Sequence, residues 1–550
     1  MNSLPQQQIS ARYGRWGKIL FLVLLAPCLL LLTPDMVWDD KLILGWHARM
    51  DTTALFGILS LSWIYWRPLG VLSIVLPHLM GMPLELNKAL SLLLFAAIGW
   101  ILISFHVRTA LGSIKASVLL LAAFLALSPV FAETIVWLSA RFDLLLTLFV
   151  AGLLLRHATL VRQPASDQSN KRYLAEGLVW GLVLGLTKES GSAWALGIAA
   201  ILVLDGLRCN RNPQLIRLAI GLIAGTAVTL VLRSIAFAVF DHPVTPMEPS
   251  HAAYFPFFAE AMTREMVMFA APFLDRAPTH PPGWGIPVLV YILSVVLPLL
   301  TGIGALLSAR AFHKQSSFFW MWAWAALAGA ALIGHAALTP LHDVTSLGQL
   351  ICERYIAPSA AVLIALAMTA LSGLQGKARI AALCLALYAV CATLPYSFDD
   401  KIAWSSRLDL WTRTWEHGTH FTVAAISLVD AKIKAGKTDE AQSLSRSWLE
   451  THPNNGKDNC LFVNTLVYYQ GITKETSVAL KNFIPYAWCS PFLALKAVEL
   501  VEADRSLCPS LLRMTHRADE EWKGQGSLAD VATQARAEAD SRCGYHETGS

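Results

Sequence analysis

The chain has 550 residues, of which 55% are hydrophobic and 15% are charged, and its formal net charge is +5. This composition is too apolar for a soluble protein of that length, and it excludes a soluble enzyme, a nucleic-acid-binding protein and a disordered chain. The last 154 positions, from Ser397 on, hold 37 of the 81 charged residues, and the first 396 hold the other 44. We therefore expect a long membrane part followed by a soluble tail. The excess of Lys and Arg needs no nucleic-acid partner, because cytoplasmic loops of membrane proteins are basic.

A helix that crosses a bilayer needs about 17–25 mostly apolar residues. Eleven segments meet this requirement, at about 18–34, 86–107, 117–131, 133–155, 173–187, 190–206, 215–240, 284–308, 317–338, 355–374 and 380–396. The sequence therefore predicts an all-α, polytopic membrane domain over residues 1–396. A small helical domain is expected over 397–550.

The charges of the loops predict an orientation. The N-terminus carries Arg12, Arg15 and Lys18 without an acid, which indicates a cytoplasmic location. Every second loop is then basic: Arg108 and Lys115; Arg156, Arg162, Lys171 and Arg172; Arg208, Arg211 and Arg217; Arg310 and Lys314; Lys377 and Arg379. The other loops are mixed or acidic. We therefore expect a large first outer loop at 35–85, a second at 241–283, and a tail on the outer side.

Charged groups at or within a membrane are costly, so each one is a candidate for function. Asp39 and Asp40 follow the first span directly, and two adjacent carboxylates at a membrane surface suit a general base, since doubling or desolvation raises a carboxyl pKa. A helix cap or a solvated loop is the alternative. Arg67, in an otherwise apolar stretch, suits bidentate binding of phosphate. The alternative for Arg67 is an interfacial side chain that reaches the lipid headgroups.

Three further motifs fall on the same predicted outer side. Glu133, Trp137 and Arg141 follow one another at helical i+4 steps, with Asp143 close behind, and a buried ion pair that fixes helix packing is the alternative to function. Lys188-Glu189-Ser190 forms a hairpin tip, which needs polar residues in any case. Glu353-Arg354-Tyr355 enters the tenth span, where an interfacial anchor is the alternative. Together the motifs place acids and cations on one face, as transfer from a lipid-phosphate donor requires.

The order of these motifs resembles a known family, the transmembrane-and-TPR O-mannosyltransferases and their bacterial relatives within the GT-C class of membrane glycosyltransferases. The resemblance covers about residues 35–455. The residues that carry it are Trp38-Asp39-Asp40, Arg67-Pro68-Leu69, Pro129, Glu133, Trp137, Arg141, Asp143, Lys188-Glu189-Ser190, Glu353-Arg354-Tyr355 and Pro358-Ser359. The chain departs from the family at Glu85-Leu86-Asn87-Lys88, where a segment rich in His and Asn is usual, and in lacking most of a long TPR array.

The resemblance implies a polyprenyl-phosphate-linked sugar donor and a single displacement that inverts the anomeric carbon. It places the catalytic carboxylate in the first outer loop, at Asp39 or Asp40. The candidates for binding the donor phosphate are Arg67, Arg141, Lys188 and Arg354. Supporting roles are expected for Glu133, Asp143, Glu189, Glu353 and Tyr355. We expect no cofactor and no metal site: a divalent cation on the two acids is conceivable, but the sequence shows no oxygen-rich cage.

The tail contains one predicted TPR-like helix pair, in which Leu428, Gly436, Ala441 and Pro453 occupy the expected positions. About three repeats are usually needed for a stable array. Four cysteines are available to stabilise the tail in an oxidising compartment, and they allow three pairings. These cysteines are Cys460, Cys489, Cys508 and Cys543.

We therefore expect a membrane glycosyltransferase that transfers one sugar to an acceptor hydroxyl on the outer face, with the lipid bilayer as its environment. The short repeat array favours a bacterial inner membrane, with a periplasmic tail that docks an exported protein acceptor. Transfer to a lipid-linked glycan or to lipid A is an alternative acceptor. A flippase for a lipid-linked sugar and a non-catalytic scaffold are the rival classes. A flippase would need charges deep in the spans and internal repeats.

Overall fold

A computed structural model describes most of the chain. It covers residues 3–35, 44, 66–110, 114–162, 170–208, 212–239, 319–338, 353–416, 422–451, 490–499, 505–523 and 527–543. All regular secondary structure in these ranges is helical, which confirms the all-α prediction for the part of the chain described. The chain divides into two compact units, the first ending at Arg407 and the second beginning at Leu408.

The first unit is a bundle of long apolar helices joined by short 3-10 turns. Its helices are α1 (Ser3–Leu25), α2 (Pro68–Leu79), α3 (Leu84–Thr109), α4 (Lys115–Leu127), α5 (Ala132–Val136), α6 (Arg141–Leu160), α7 (Asn170–Thr187), α8 (Glu189–Arg208), α9 (Pro213–Val239), α10 (Phe319–Leu338), α11 (Ala357–Gly373) and α12 (Gly376–Ser405). The 3-10 turns are Ala26–Leu31, Pro129–Phe131, Leu138–Ala140 and Glu353–Ile356. The predicted boundary between residues 396 and 397 falls inside α12.

Several of these helices are long and apolar enough to cross a membrane, which indicates a membrane protein. Within the described residues, five segments qualify by length and composition: Ala11–Leu31, Leu84–Thr109, Leu138–Leu160, Glu189–Arg208 and Pro213–Ala236. A sixth is formed by Lys115–Leu127 with Pro129–Val136, if these two segments, bent by 50°, are counted as one span. The predicted span at 284–308 lies outside the described residues, so eleven spans stay a prediction.

Small residues let α7 and α9 pack with their backbones almost in contact. Gly177 and Gly181 on α7 face Gly221 and Gly225 on α9. A Cβ built on Gly181 would lie 2.3 Å from the carbonyl oxygen of Leu222. No side chain fits at that distance, so the glycines determine how closely the two helices approach.

The two ends of the bundle are distinct. Residues near the starts of α3 and α6 bind each other, because Arg141 Nη1 donates to Asn87 Oδ1 at 2.9 Å. The other ends of the same two helices also meet, where Arg108 Nη1 donates to Thr159 Oγ1 at 2.9 Å. These two helices therefore run parallel, with polar contacts between them at both ends.

The second unit consists of two helical clusters. Its helices are α13 (Arg407–Glu416), α14 (Thr422–Lys434), α15 (Thr438–Thr451), α16 (Pro491–Glu499), α17 (Cys508–Glu521) and α18 (Ser527–Cys543). Helices α14 and α15 form a hairpin whose turn contains Gly436 at φ +75°, and Ala441 is fully buried between them. Helices α16 to α18 share a core of alanines and larger aliphatic residues, which a disulfide between Cys508 and Cys543 closes.

Candidate functional site

An ion pair joins the start of α2 to the start of α8. Arg67, the residue before α2, donates from Nε to both carboxylate oxygens of Glu189, at 3.1 and 2.8 Å. Its Nη2 lies 2.8 Å from Glu189 Oε2, and the two side chains are only 16% and 21% exposed. The guanidinium carbon of Arg67 also lies 5.3 Å from the centre of the Phe142 ring. Arg67 is thus held between α6 and α8.

Two glycines permit this close packing. A Cβ built on Gly70 would lie 2.3 Å from the Phe142 ring and 3.0 Å from the carbonyl oxygen of Thr187. In the hairpin of α7 and α8, a Cβ on Gly191 would lie 2.0 Å from the carbonyl oxygen of Leu184. The first turn of α2 and the hairpin tip can therefore meet only because both positions lack a side chain.

A second ion pair lies beside the first. Lys188 is the single residue between α7 and α8, and its ammonium donates to Asp143 Oδ1 in the first turn of α6. The two side chains are 8% and 3% exposed. The Lys188 ammonium also lies 4.3 Å from the centre of the Tyr355 ring, in the 3-10 turn before α11. Four elements that are distant in sequence therefore contribute to one cluster of charges.

The cluster contains two cations and two acids that influence one another. Burial alone would lower the pKa of Arg67, but the charges of Glu189 and Asp143 outweigh it, so this pKa is raised above its ordinary value. Tyr355 acts in the same direction. Arg67 consequently stays charged at any physiological pH, as a group that binds phosphate must.

Arg141 has a different environment from the other cations. Its guanidinium is 1% exposed and donates to Ser91 Oγ and Asn87 Oδ1, each at 2.9 Å. It also donates to the backbone carbonyl oxygens of Ser73 and Asn87. Arg141 thus joins α6 to α2 and α3, and these contacts favour a positioning role over direct contact with a substrate.

The chain between α4 and α6 is buried throughout. Every residue from Leu125 to Thr147 is buried, although the predicted spans at 117–131 and 133–155 meet within this range. Glu133 is fully buried in the short helix α5. Trp137 stacks on Trp404 of α12, with ring centres 4.9 Å apart and planes at 17°. The segment forms the interior of this end of the bundle rather than an exposed connection.

The structure brings together five of the predicted site residues from four motifs: Arg67, Asp143, Lys188, Glu189 and Tyr355. Asp39 and Asp40 lie outside the described residues. The backbone of Glu353 and Arg354 forms the 3-10 turn that contains Tyr355, but their side chains lie outside the described part of the structure. The roles assigned to these four acids and cations stay predictions.

Sequence reasoning missed two lysines at this end of the bundle. Lys88 and Lys401 are both fully buried. The ammonium of Lys88 donates to the carbonyl oxygen of Asp35 at 2.6 Å, and that of Lys401 donates to the carbonyl oxygen of Ala126 at 2.7 Å. Lys88 was recognisable as a cation at the start of a span. Lys401 was hidden because the sequence assigns it to the soluble tail.

Asn87 and Ser91 were also missed, although both bind Arg141. Their i, i+4 spacing places them on one face of α3. The described residues contain no group of three or more His, Cys, Asp or Glu side chains that could hold a metal ion. The expectation of no metal site stays a prediction, since Asp39 and Asp40 are not among those residues.

In comparisons with protein-family models, curated proteins and solved structures, nothing matches this chain.

Proposed function

We propose that this protein is a membrane glycosyltransferase of the GT-C type. It transfers a single sugar from a polyprenyl-phosphate donor to an acceptor hydroxyl on the outer face of the membrane. The observation that carries the proposal is the meeting of Arg67 and Lys188 with Asp143 and Glu189 at one end of an apolar helix bundle. Burying a cation at such a place costs free energy unless the cation pairs with an acid or binds an anionic ligand.

The proposed reaction is a single displacement. The acceptor oxygen attacks the anomeric carbon from the side opposite the phosphate, and a new carbon–oxygen bond forms as the bond to the phosphate oxygen breaks. Polyprenyl phosphate leaves with the bonding electron pair, and the configuration inverts. The proton of the acceptor hydroxyl passes to the carboxylate of Asp39 or Asp40, which acts as general base.

Arg67 and Lys188 are the proposed ligands of the donor phosphate. Arg67 provides a planar fork that matches two phosphate oxygens, and Lys188 provides a point charge. Glu189 and Asp143 hold both cations in place before the donor arrives. As negative charge develops on the leaving phosphate, these preorganised cations stabilise the transition state more than the ground state. Arg354 is proposed as a further phosphate ligand.

Arg141 is proposed to act indirectly. Its donors are bound to Asn87, Ser91 and the backbone of Ser73, and its neighbours Phe142 and Asp143 contact Arg67 and Lys188. Arg141 therefore fixes the start of α6 and with it the partners of both proposed phosphate ligands. Glu133 and Tyr355 are proposed to support the site from α5 and from the turn before α11.

The wider organisation of the protein is proposed from the sequence. It comprises eleven spans, a cytoplasmic N-terminus and a TPR-like tail in the periplasm that binds an exported protein acceptor. The hairpin of α14 and α15, with the positive φ of Gly436 and the buried Ala441, supports a single repeat. The disulfide between Cys508 and Cys543 supports an oxidising compartment.

A transfer assay tests the proposal. Purified full-length protein receives a radiolabelled polyprenyl-phosphate sugar, with an exported protein, a lipid-linked glycan or lipid A as acceptor. We expect transfer to one acceptor class, loss of transfer in Asp39→Asn or Asp40→Asn, and a fall of about 100-fold in Arg67→Gln or Lys188→Gln, in the range found when one preorganised group is removed. Lys377→Gln, which replaces an exposed lysine in the first turn of α12, is the matched control and should transfer normally.

Three results would reject parts of the proposal. Normal transfer in both Asp39→Asn and Asp40→Asn would show that neither aspartate is the general base. Normal transfer in both Arg67→Gln and Lys188→Gln would eliminate the phosphate site. Movement of the labelled donor across liposomes without any transfer would identify a flippase instead.

A further inference from the structure

A short segment after the first predicted span, from Thr33 to Asp35, is bound to the bundle at three points. The ammonium of Lys88, near the start of α3, donates to the carbonyl oxygen of Asp35 at 2.6 Å. The backbone N–H of Arg407 donates to Asp35 Oδ2 at 2.9 Å. The Thr33 hydroxyl donates to the carbonyl oxygen of Ser405, the last residue of α12, at 2.5 Å. Both ends of this anchored segment are therefore fixed by parts of the chain that are distant in sequence.

Lys88 is the fully buried member of this set of contacts. Burying an ammonium costs free energy that an apolar side chain at the same place would not. A lysine there is therefore better explained by what its ammonium holds than by the stability of the bundle.

The residue before Lys88 holds the other half of the proposed site. Asn87 is 1% exposed; its Oδ1 accepts from Arg141 Nη1 at 2.9 Å, and its Nδ2 donates to the carbonyl oxygen of Ile74 in α2 at 3.0 Å. Arg141 begins α6, which carries the partners of both proposed phosphate ligands. Two adjacent residues of α3 thus connect the anchored segment to the proposed phosphate site.

We propose that Lys88 is a positioning residue of the transferase, which fixes the anchored segment relative to the phosphate site. This inference rests on the proposed function, in which Asp39 or Asp40 is the general base. Asp35 precedes Asp39 by four residues, a length of chain that spans at most about 14 Å. A displacement of Asp35 is therefore passed on to the residues that follow it. A shift of about 1 Å between reacting groups lowers a rate by about 100-fold.

Steady-state kinetics of the full-length protein test the proposal. Lys88→Met should lower kcat about 100-fold and leave the donor KM unchanged, because the phosphate ligands Arg67 and Lys188 are held by other residues. Asn87→Ala should instead raise the donor KM about tenfold, since the phosphate site loses one charge-assisted hydrogen bond of its support. A purely structural role would not divide kcat from KM between two adjacent residues.

Hydrogen exchange followed by mass spectrometry tests the anchor without any assay of transfer. The peptide that contains Thr33 and Asp35 should exchange faster in Lys88→Met than in wild type, because backbone that loses its contacts opens more often. Lys377→Gln, which replaces an exposed lysine in the first turn of α12, is the control in both experiments. It should match the wild type in kcat, donor KM and exchange.

A second variant keeps the test decisive if Lys88→Met does not fold. Thr33→Val removes the hydroxyl that donates to Ser405 and preserves the shape of the side chain. It should lower kcat about tenfold at an unchanged donor KM, because one of the three contacts of the anchored segment is lost. A normal kcat in Thr33→Val would then overturn the inference.

The contrary results are distinct from a failure of the proposed function. A folded Lys88→Met protein with normal kcat would overturn the inference while transfer itself stands. Equal changes of kcat and donor KM in Lys88→Met and Asn87→Ala would show a general loss of structure and would also overturn it. If the wild-type protein transfers no sugar, the proposed function fails and exchange alone decides: faster exchange in Lys88→Met supports the anchor, and unchanged exchange overturns it.

Discussion

At the scale of single residues, the pair of Lys188 and Asp143 is the most sensitive part of the candidate site. Both side chains are nearly inaccessible to solvent, so neither charge is stabilised by bulk water and their pairing contributes to the stability of both. Removing one partner of a buried pair leaves an uncompensated charge, whereas replacing both with uncharged groups does not. This asymmetry distinguishes a buried pair from an ion pair in water.

Asp143→Asn should lower the free energy of unfolding by about 3–5 kcal/mol, and Lys188→Met by a similar amount. The double variant should lose clearly less than the sum of the two, because neither charge is then left alone. Unfolding of the purified protein in detergent measures all three. Lys437→Met is the control, since its contact with Glu440 is half-exposed and should contribute less than about 1 kcal/mol. Additive losses in the double variant would contradict the coupling.

Gly70→Ala tests whether the first turn of α2 must lie against α6. The new Cβ would lie 2.3 Å from the Phe142 ring, so α2 must shift and Arg67 must move relative to Glu189. We expect a lower unfolding midpoint and a fall in donor binding. Gly334→Ala in α10 is the control, because a Cβ there meets nothing within 4 Å. A Gly70→Ala protein with wild-type stability would contradict this packing.

Some residues of the candidate functional site could be predicted from the sequence because they are charged residues in apolar segments. A charge in an apolar stretch is conspicuous, so Arg67, Lys188 and Asp143 could be chosen from the sequence. The ion-pair partner of each charge could not be predicted, because it depends on which helix N-termini lie close together in the folded protein. Arg141 illustrates the difference: the sequence predicts a phosphate ligand, and the structure places its guanidinium among Asn87 and Ser91.

At the scale of elements, the long helices were predictable and the broken segment was not. The predicted spans at 86–107 and 190–206 correspond to α3 and α8 within a few residues. Between α4 and α6, hydropathy predicts two plain spans, but the chain there forms short turns separated by Ser128 and Trp137. Pro129 lacks an N–H and interrupts the helix. Hydropathy cannot distinguish a buried broken segment from a continuous span, because both are apolar.

Gly181→Ala tests the close packing of α7 and α9. Its Cβ would lie 2.3 Å from the backbone oxygen of Leu222, and backbone cannot rotate away as a side chain can. We expect a loss of at least about 2 kcal/mol, as for overpacking in a dense core. Gly329→Ala in α10, where a Cβ meets nothing within 4 Å, should be neutral or more stable by up to about 1 kcal/mol. Equal unfolding midpoints of these two variants would contradict the packing.

At the scale of the whole molecule, charged residues lie at both ends of the bundle. One end contains the pairs of Arg67 with Glu189 and of Lys188 with Asp143, and the other contains Arg108 together with the pair of Arg156 and Glu176. The alternation of loop charges in the sequence predicts that the second of these ends faces the cytoplasm. The orientation then assigns an oxidising compartment to the tail, where disulfides form and persist. The redox state of the tail is therefore a measure of the orientation of the entire chain.

The disulfide between Cys508 and Cys543 provides that measurement. Protein from intact membranes is denatured without reductant, alkylated and mapped by mass spectrometry. We expect Cys508 and Cys543 to escape alkylation and Cys28, Cys384 and Cys391, which are free, to react as the internal control. The pair closes a separation of 35 residues, so Cys508→Ser should destabilise the tail by about 3–4 kcal/mol in the chain-entropy model and make it sensitive to protease. Alkylation of Cys508 without reductant would place the tail on the reducing side and reverse the orientation of the bundle.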